Sequence, residues 1–108
     1  MARSKFQTLT EQMFYTLLCL RHECCGTDVM EQVRQLTKGR VIVGPGTLYS
    51  LLDSFLQAGM IEETRVEGRK RSYIITAAGQ KALDDEYRRL QILAADYEAC
   101  IGERGSAE

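Results

Sequence analysis

Gly44-Pro45-Gly46-Thr47-Leu48-Tyr49-Ser50-Leu51-Leu52-Asp53-Ser54-Phe55-Leu56-Gln57-Ala58-Gly59 is the stretch around which the rest of the chain is organised. Leu48, Leu51, Leu52, Phe55 and Leu56 stand at i, i+3, i+4, i+7 and i+8, one apolar stripe of an α-helix. Pro45 suits the first helical position, where its missing N–H would have had no partner. Gly59 suits the left-handed residue that ends a helix, with Met60 placed to pack back on the last turn. Thr47, Tyr49 and Ser50 fall on the other face near the start. They are short or planar hydrogen-bonding groups, such as a helix presents to something outside the protein. A core helix with an ordinary solvated face has the same pattern, so this stretch alone leaves both readings open.

On its N-terminal side, Thr8-Leu9-Thr10-Glu11 has the spacing of a capping box, Thr8 with Glu11 three residues on. Met13, Phe14, Leu17, Leu18 and Leu20 then keep a helical period to about residue 22. Cys24-Cys25-Gly26 breaks that period, with the cysteines as a helix-end pair. Thr27 reads as the N-cap of a second helix, and Asp28 in its first turn suits the helix dipole. Val29, Met30, Val33 and Leu36 mark its buried side, and the pattern ends near Gly39. Arg34, Lys38 and Arg40 lie on its outer side or just beyond, where they are solvated or reach a phosphate. Val41-Ile42-Val43 is a β-branched run predicted as a small strand.

On the C-terminal side, Met60 to Val66 and Arg69 to Thr76 read as a β-hairpin turning at Glu67-Gly68. Arg65, Arg69, Lys70 and Arg71 crowd its tip. A charged hairpin can serve solubility alone, but four cations beside a polar-faced helix point to a phosphate-contacting wing. Thr76 is the predicted cap of the last helix. Within that helix Leu83, Tyr87, Leu90, Ala94, Tyr97 and Ile101 alternate by four and three residues, a heptad seam of about three repeats. Packing on the first helix covers part of the seam, and its length predicts that the rest pairs with a second copy. Asp84, Asp85, Glu86, Asp96, Glu98 and Glu103 make this arm acidic, which keeps it away from nucleic acid, and Gly102 to Glu108 reads as a frayed tail.

A length of 108 residues, 44% hydrophobic and 27% charged, fits one soluble globular domain. No apolar run approaches the ~18 residues of a membrane span. The start, Met1 to Thr8, lacks a signal-peptide apolar region, so a cytoplasmic location is expected. The net charge of −1 argues against a general polycation. Its distribution is more telling: the basic excess lies in residues 1–83 and the acidic excess in residues 84–108. The four cysteines, Cys19, Cys24, Cys25 and Cys100, form no C-x-x-C pair, and His22 is the single histidine, so no metal or other cofactor is expected. In a cytoplasmic chain the thiols are expected reduced, with Cys19 in the core. With one histidine, no phosphate-binding glycine loop and no spaced catalytic carboxylates, no catalytic residue is assigned and an enzyme is not expected.

Helix, helix, short strand, helix, basic hairpin and long helix make a winged helix-turn-helix, mainly α with a small β-hairpin. Residues 1–76 would form the DNA-binding domain and residues 77–108 a C-terminal dimerisation helix with a frayed tail, in one compact unit. Leu9-Thr10-Glu11, Gly44-Pro45-Gly46-Thr47-Leu48-Tyr49 with Leu52 and Leu56, Ala58-Gly59-Met60-Ile61, Gly68-Arg69-Lys70-Arg71-Ser72-Tyr73 and Ile75-Thr76-Ala77-Ala78-Gly79 with Leu83 carry a further signal. In these residues the chain resembles the PadR-like transcriptional regulators, in particular the compact members with a single final helix. The resemblance spans roughly residues 9–90.

It implies a homodimeric repressor of double-stranded DNA, acting on a pseudo-palindromic operator. Thr47, Tyr49 and Ser50 would contact bases or nearby phosphates, and Arg69, Lys70 and Arg71 would make wing contacts. Several compact relatives bind flat aromatic or cationic drugs between subunits, often by stacking on a tryptophan. This chain has no tryptophan, so Tyr87, Tyr97, Phe14 or Tyr15 would supply the aromatic wall for a small-molecule effector. Two other readings stay open: a winged helix that binds protein and not DNA, and a regulator responding to oxidation at Cys24, Cys25 or Cys100.

Overall fold

The structure, a computed structural model, describes residues 8–107, with side chains through residue 102. In chain order the elements are α1 (Glu11–Cys19), β1 (Cys24–Cys25), α2 (Gly26–Leu36), α3 (Pro45–Gln57), β2 (Ile61–Glu67), β3 (Lys70–Ile75) and α4 (Ala77–Ala107). The expectation about the chain's first seven residues lies outside the described residues.

Thr10, not Thr8, caps α1: its hydroxyl accepts the Met13 N–H at 3.2 Å. Leu9 is buried and its N–H is donated to Glu86 Oε1 at 3.2 Å, so the chain is still tied to α4 where the capping box would have begun. Glu11 meets Arg40 at 2.8 Å and does not reach back. The helix also stops about three residues early. The Leu20 carbonyl, which would have continued the helical ladder, instead accepts the Ile75 N–H at 2.8 Å.

The third strand of the sheet is Cys24–Cys25, not Val41–Val43. The strand order is β1-β3-β2, all antiparallel, with Cys24 opposite Tyr73 and Cys25 opposite Ser72. Both cysteines are buried. Val41 and Val43 are buried and Ile42 is exposed, the alternation of a strand, yet the segment pairs with nothing in the sheet. Its irregular backbone is held by side chains: Gln12 Nε2 donates to the Ile42 carbonyl at 3.2 Å and the Val41 N–H donates to Thr37 Oγ1 at 3.0 Å.

Because β1 runs straight into α2, Cys25 is the N-cap position and Thr27 lies inside the first turn. Cys25 makes no side-chain cap, and its Sγ lies 3.3 Å from Thr27 Oγ1. The helix ends at Leu36, and Lys38 and Gly39 then both take positive φ, 54° and 79°. Leu48, Leu52 and Phe55 of α3 are buried, Leu51 is half-buried, and Leu56 falls at the exposed margin of the stripe. Gly59, at φ 75°, turns the chain so that the Met60 N–H reaches the Phe55 carbonyl at 2.9 Å. In the wing the turn residues are Gly68-Arg69, one position later than expected, because Glu67 still pairs with Lys70. Gly68 carries the positive φ, 62°, as the first central residue of a type II′ hairpin requires.

Thr76 caps α4, accepting the Gly79 N–H at 3.2 Å while its hydroxyl donates to the Gly59 carbonyl at 2.6 Å. One residue thereby joins the end of α3 to the start of α4. Leu83 is buried in the common core, and beyond it the helix leaves the body, giving a molecule 64 × 34 × 21 Å. The helix continues to Ala107, where a frayed tail was expected from Gly102; Glu108 lies outside the described residues.

Glu86, only 3% exposed, secures the base of this arm. Its carboxylate accepts two hydrogen bonds from Arg89, at 3.0 and 2.5 Å, besides that of Leu9. These bonds, Arg89's foremost, hold the Glu86 carboxyl below its ordinary value of 4.5. A group ionised more easily in the folded chain stabilises the fold above its unfolded pKa, and that contribution is lost as the pH falls through the lower folded value. Glu86→Gln is therefore expected to be about 1–2 kcal/mol less stable than the parent at pH 7. Urea unfolding at pH 7 and pH 3 should show the two converging in acid; an equal gap at both would remove the carboxylate from this role.

Candidate nucleic-acid interface

Four of the six residues singled out for DNA contact come together. Tyr49 from α3 and Arg69, Lys70 and Arg71 from the wing line one open cleft of about 560 Å³, with Cys25, Gly26, Thr27 and Tyr73 completing it. Thr47 and Ser50 are exposed on α3 outside this cleft. They stand at i and i+3, on the same outward side, whereas Leu48, Leu52 and Phe55 hold the helix against the core. The polar leading edge is thus split in two. Thr47 and Ser50 face solvent, and Tyr49, half-exposed, leans towards the start of α2.

The wing cations differ in how free they are. Arg71 lies 3.3 Å from Glu63 across the strand pair, and Arg65 lies 3.5 Å from Glu67, all at the surface. Arg69 and Lys70 make no ion pair among the described residues. Exposed pairs of this kind contribute at most ~1 kcal/mol, so Arg71 can exchange Glu63 for a phosphate, at some loss. Arg34 on α2 and Arg40 just beyond it are more committed. Arg40 donates to Glu11 at 2.8 Å and to the Tyr15 hydroxyl at 2.9 Å, and Arg34 is paired with Glu31 on its own helix. Both guanidinium groups are held charged by these partners.

Tyr73, behind the cleft, is 5% exposed, and burial first, then Glu63, pushes its phenol above the ordinary value. It stays a neutral hydrogen-bonding group. Gly26, Thr27 and Tyr73 escaped the sequence reading. Only the pairing of Cys24–Cys25 with a strand nearly fifty residues away brings the start of α2 to the wing, and no local signal announces that pairing.

The other cysteines and the arm complete the inventory. Burial, and then the neighbouring Cys19, push the Cys24 thiol up to about 11. At neutral pH it is a protonated thiol, donating to the Cys19 carbonyl at 3.7 Å, and the thiol is not the reactive form. Cys19, too, is buried and raised by burial, whereas Cys100 is exposed on α4. Of the heptad residues, Leu83 is buried in its own chain's core, while Tyr87, Leu90, Ala94, Tyr97 and Ile101 are exposed along the arm. Leu93, also exposed, adjoins Leu90 and Tyr97 at i+3 and i+4 spacing and widens the face. Glu103 of the acidic series has no described side chain. No helix among the described residues is long and apolar enough to cross a membrane, and no group of three or more His, Cys, Asp or Glu among them could hold a metal ion.

Comparison with known proteins gives the same architecture. The chain is 24% identical over 83 residues to the transcriptional regulator YqjI of Escherichia coli, spanning 76% of this chain but only 40% of that regulator's length. A PadR family transcriptional regulator from Eggerthella lenta superposes with a TM-score of 0.72 at 16% identity, covering 83% of this chain and 80% of its own. RosR of H. salinarum gives a TM-score of 0.66 at 19% identity over 93% of this chain and 96% of its own, the long final helix included in the span. The description Transcriptional regulator PadR-like family fits residues 16–85, from within α1 through the base of α4. That is a family of regulators and not of enzymes, and the match covers more than half of the sequence: the chain belongs to the PadR-like family of transcriptional regulators.

Proposed function

We propose that the protein is a sequence-specific DNA-binding repressor acting as a homodimer on a pseudo-palindromic operator. Residues 1–76 serve as the DNA-binding unit and residues 77–108 as the dimerisation arm. The observation that carries this reading is the open cleft in which Tyr49 of α3 meets Arg69, Lys70 and Arg71 of the wing. On this reading α3 enters the major groove with Thr47 and Ser50 towards base edges, Tyr49 at its flank, and the wing cations on the phosphate backbone. Hydrogen-bonding side chains distinguish base edges, while cations set affinity and register.

The dimer reading is supported by the exposed face of Tyr87, Leu90, Ala94, Tyr97 and Ile101, which continues the seam beyond Leu83. Two such arms in contact would put two α3 helices on one face of the duplex, with half-sites about one helical turn, or a multiple, apart. A flat aromatic effector held between the arms would find Tyr87 and Tyr97 exposed, whereas Phe14 and Tyr15 already pack edge to face, 5.7 Å apart, on α1.

The test is binding of the purified protein to DNA from upstream of its own gene, titrated at two salt concentrations with competitor DNA present. Tight binding that survives competitor and weakens with a log–log slope of about −0.9 per neutralised phosphate is expected. Binding that is weak, equal for all sequences and indifferent to salt would overturn it, and would favour a winged helix that meets protein.

A further inference from the structure

Most glycines of this chain are explained by backbone conformation or by open space; Gly26 is not. Gly39, Gly59 and Gly68 take positive φ, and a Cβ added to any of them meets nothing within 4 Å. Gly26 has no positive φ, so its backbone would accept any L-residue. What excludes one is a single side chain. A Cβ on Gly26 would lie 2.8 Å from the Tyr49 hydroxyl, 3.0 Å from Cε1 and 3.1 Å from Cζ. The outer edge of the Tyr49 ring rests in the volume that a methyl group would fill.

Tyr49 is the one α3 side chain that lines the cleft shared with the wing. Its ring could have pointed outward with Thr47 and Ser50, and it instead lies over the first residue of α2. A methyl at position 26 would push the ring tip off this seat by at least a few tenths of an ångström, tilting the phenol away from the start of α2. Nothing else need shift, because the crowded atoms are the far end of a side chain and the backbone on both sides is unstrained.

We infer that Gly26 is a specificity-determining positioning residue: by lacking a Cβ it seats the Tyr49 ring on the start of α2, and so decides which part of the operator that phenol meets. This rests on the DNA-binding reading above. With the ring seated, Thr47 and Ser50 read the groove unobstructed while Tyr49 works from the cleft beside the wing. With the ring tip pushed off that seat, the phenol meets the DNA from a tilted position.

The experiment uses the full chain as wild type, Gly26→Ala, Tyr49→Ala and the double variant. Affinity for the best upstream DNA fragment is measured alongside a selection from a random-sequence pool. Gly26→Ala is expected to weaken binding about tenfold and to change the preferred base at one position in each half-site, with the melting temperature held. In the Tyr49→Ala background the same glycine change should alter affinity by less than about twofold, since the ring it displaces is gone. Without DNA, the Gly26 α-protons should carry a ring-current shift in the NMR spectrum of the wild type that vanishes in Tyr49→Ala. Equal weakening by Gly26→Ala with and without Tyr49, an unchanged selected sequence, or an absent ring-current shift would each overturn the inference while leaving DNA binding intact. Failure of the wild type to bind DNA would overturn the functional reading and this one together.

Discussion

Replacing Arg69 and Lys70 together by alanine is expected to lower operator affinity by about two orders of magnitude at low salt and to flatten the log–log salt dependence by about 2. Each is a surface cation with no ion pair among the described residues, so nothing in the free protein has to be given up before a phosphate is met. Each charge-assisted contact is worth roughly tenfold, and each released counterion adds about 0.9 to the slope. The loss should be uniform across DNA sequences, because phosphates carry no base information. Arg71→Ala should cost less, since Arg71 starts 3.3 Å from Glu63 and must leave it. By the same argument Glu63→Gln should strengthen binding modestly. Equilibrium titrations at several salt concentrations decide the matter: an unchanged slope in the double variant would remove the wing from the phosphate backbone.

Gly79→Ala is expected to destabilise the fold by about 3 kcal/mol, lowering the melting temperature by about 15 °C. The sign is the informative part, since glycine to alanine inside a helix ordinarily stabilises by up to ~1 kcal/mol. At Gly79 the added Cβ would lie 2.1 Å from the Met60 carbonyl oxygen, 3.0 Å from its carbon and 2.7 Å from Ile75 Cγ1. The obstacle is backbone, and it is anchored. The Met60 carbonyl accepts the Thr76 N–H at 2.9 Å, and the Met60 N–H is donated to Phe55. Gly79 cannot retreat either, because its own N–H is held by the Thr76 cap. Calorimetry on the variant checks it; a melting temperature equal to or above the parent's would mean that α4 can slide on the α3–β2 junction.

Distance along the chain separates what could be read from the sequence and what could not. Signals that act over a few residues were legible: the Pro45 start and Gly59 stop of α3, its apolar stripe, the basic hairpin, the Thr76 cap and the long final helix. Choices settled by distant partners were not. Thr8 and Thr10 both suit an N-cap, and the bond from Leu9 to Glu86, 77 residues away, decides between them. Val41–Val43 has better strand composition than Cys24–Cys25, yet the edge of β3 goes to the cysteines, because Leu20 and β3 are already bonded beside them. The cleft depends on that pairing, which is why its wing side could be read in advance and its α2 side could not. Leu83 and Tyr87 look alike in a heptad, and only the packing shows that one belongs to the body and the other to the arm.

The clasp of Glu86 on Leu9 and Arg89 also has a mechanical meaning. It fixes the point about which the arm can swing, directly below the buried Leu83. From there to Ala107 the helix is a rod some twenty residues long, so one degree of tilt at the fulcrum displaces the far end by roughly half an ångström. In the homodimer we propose, the same tilt turns each reading head relative to the other, and the operator spacing the pair can straddle is set by the stiffness of that single joint.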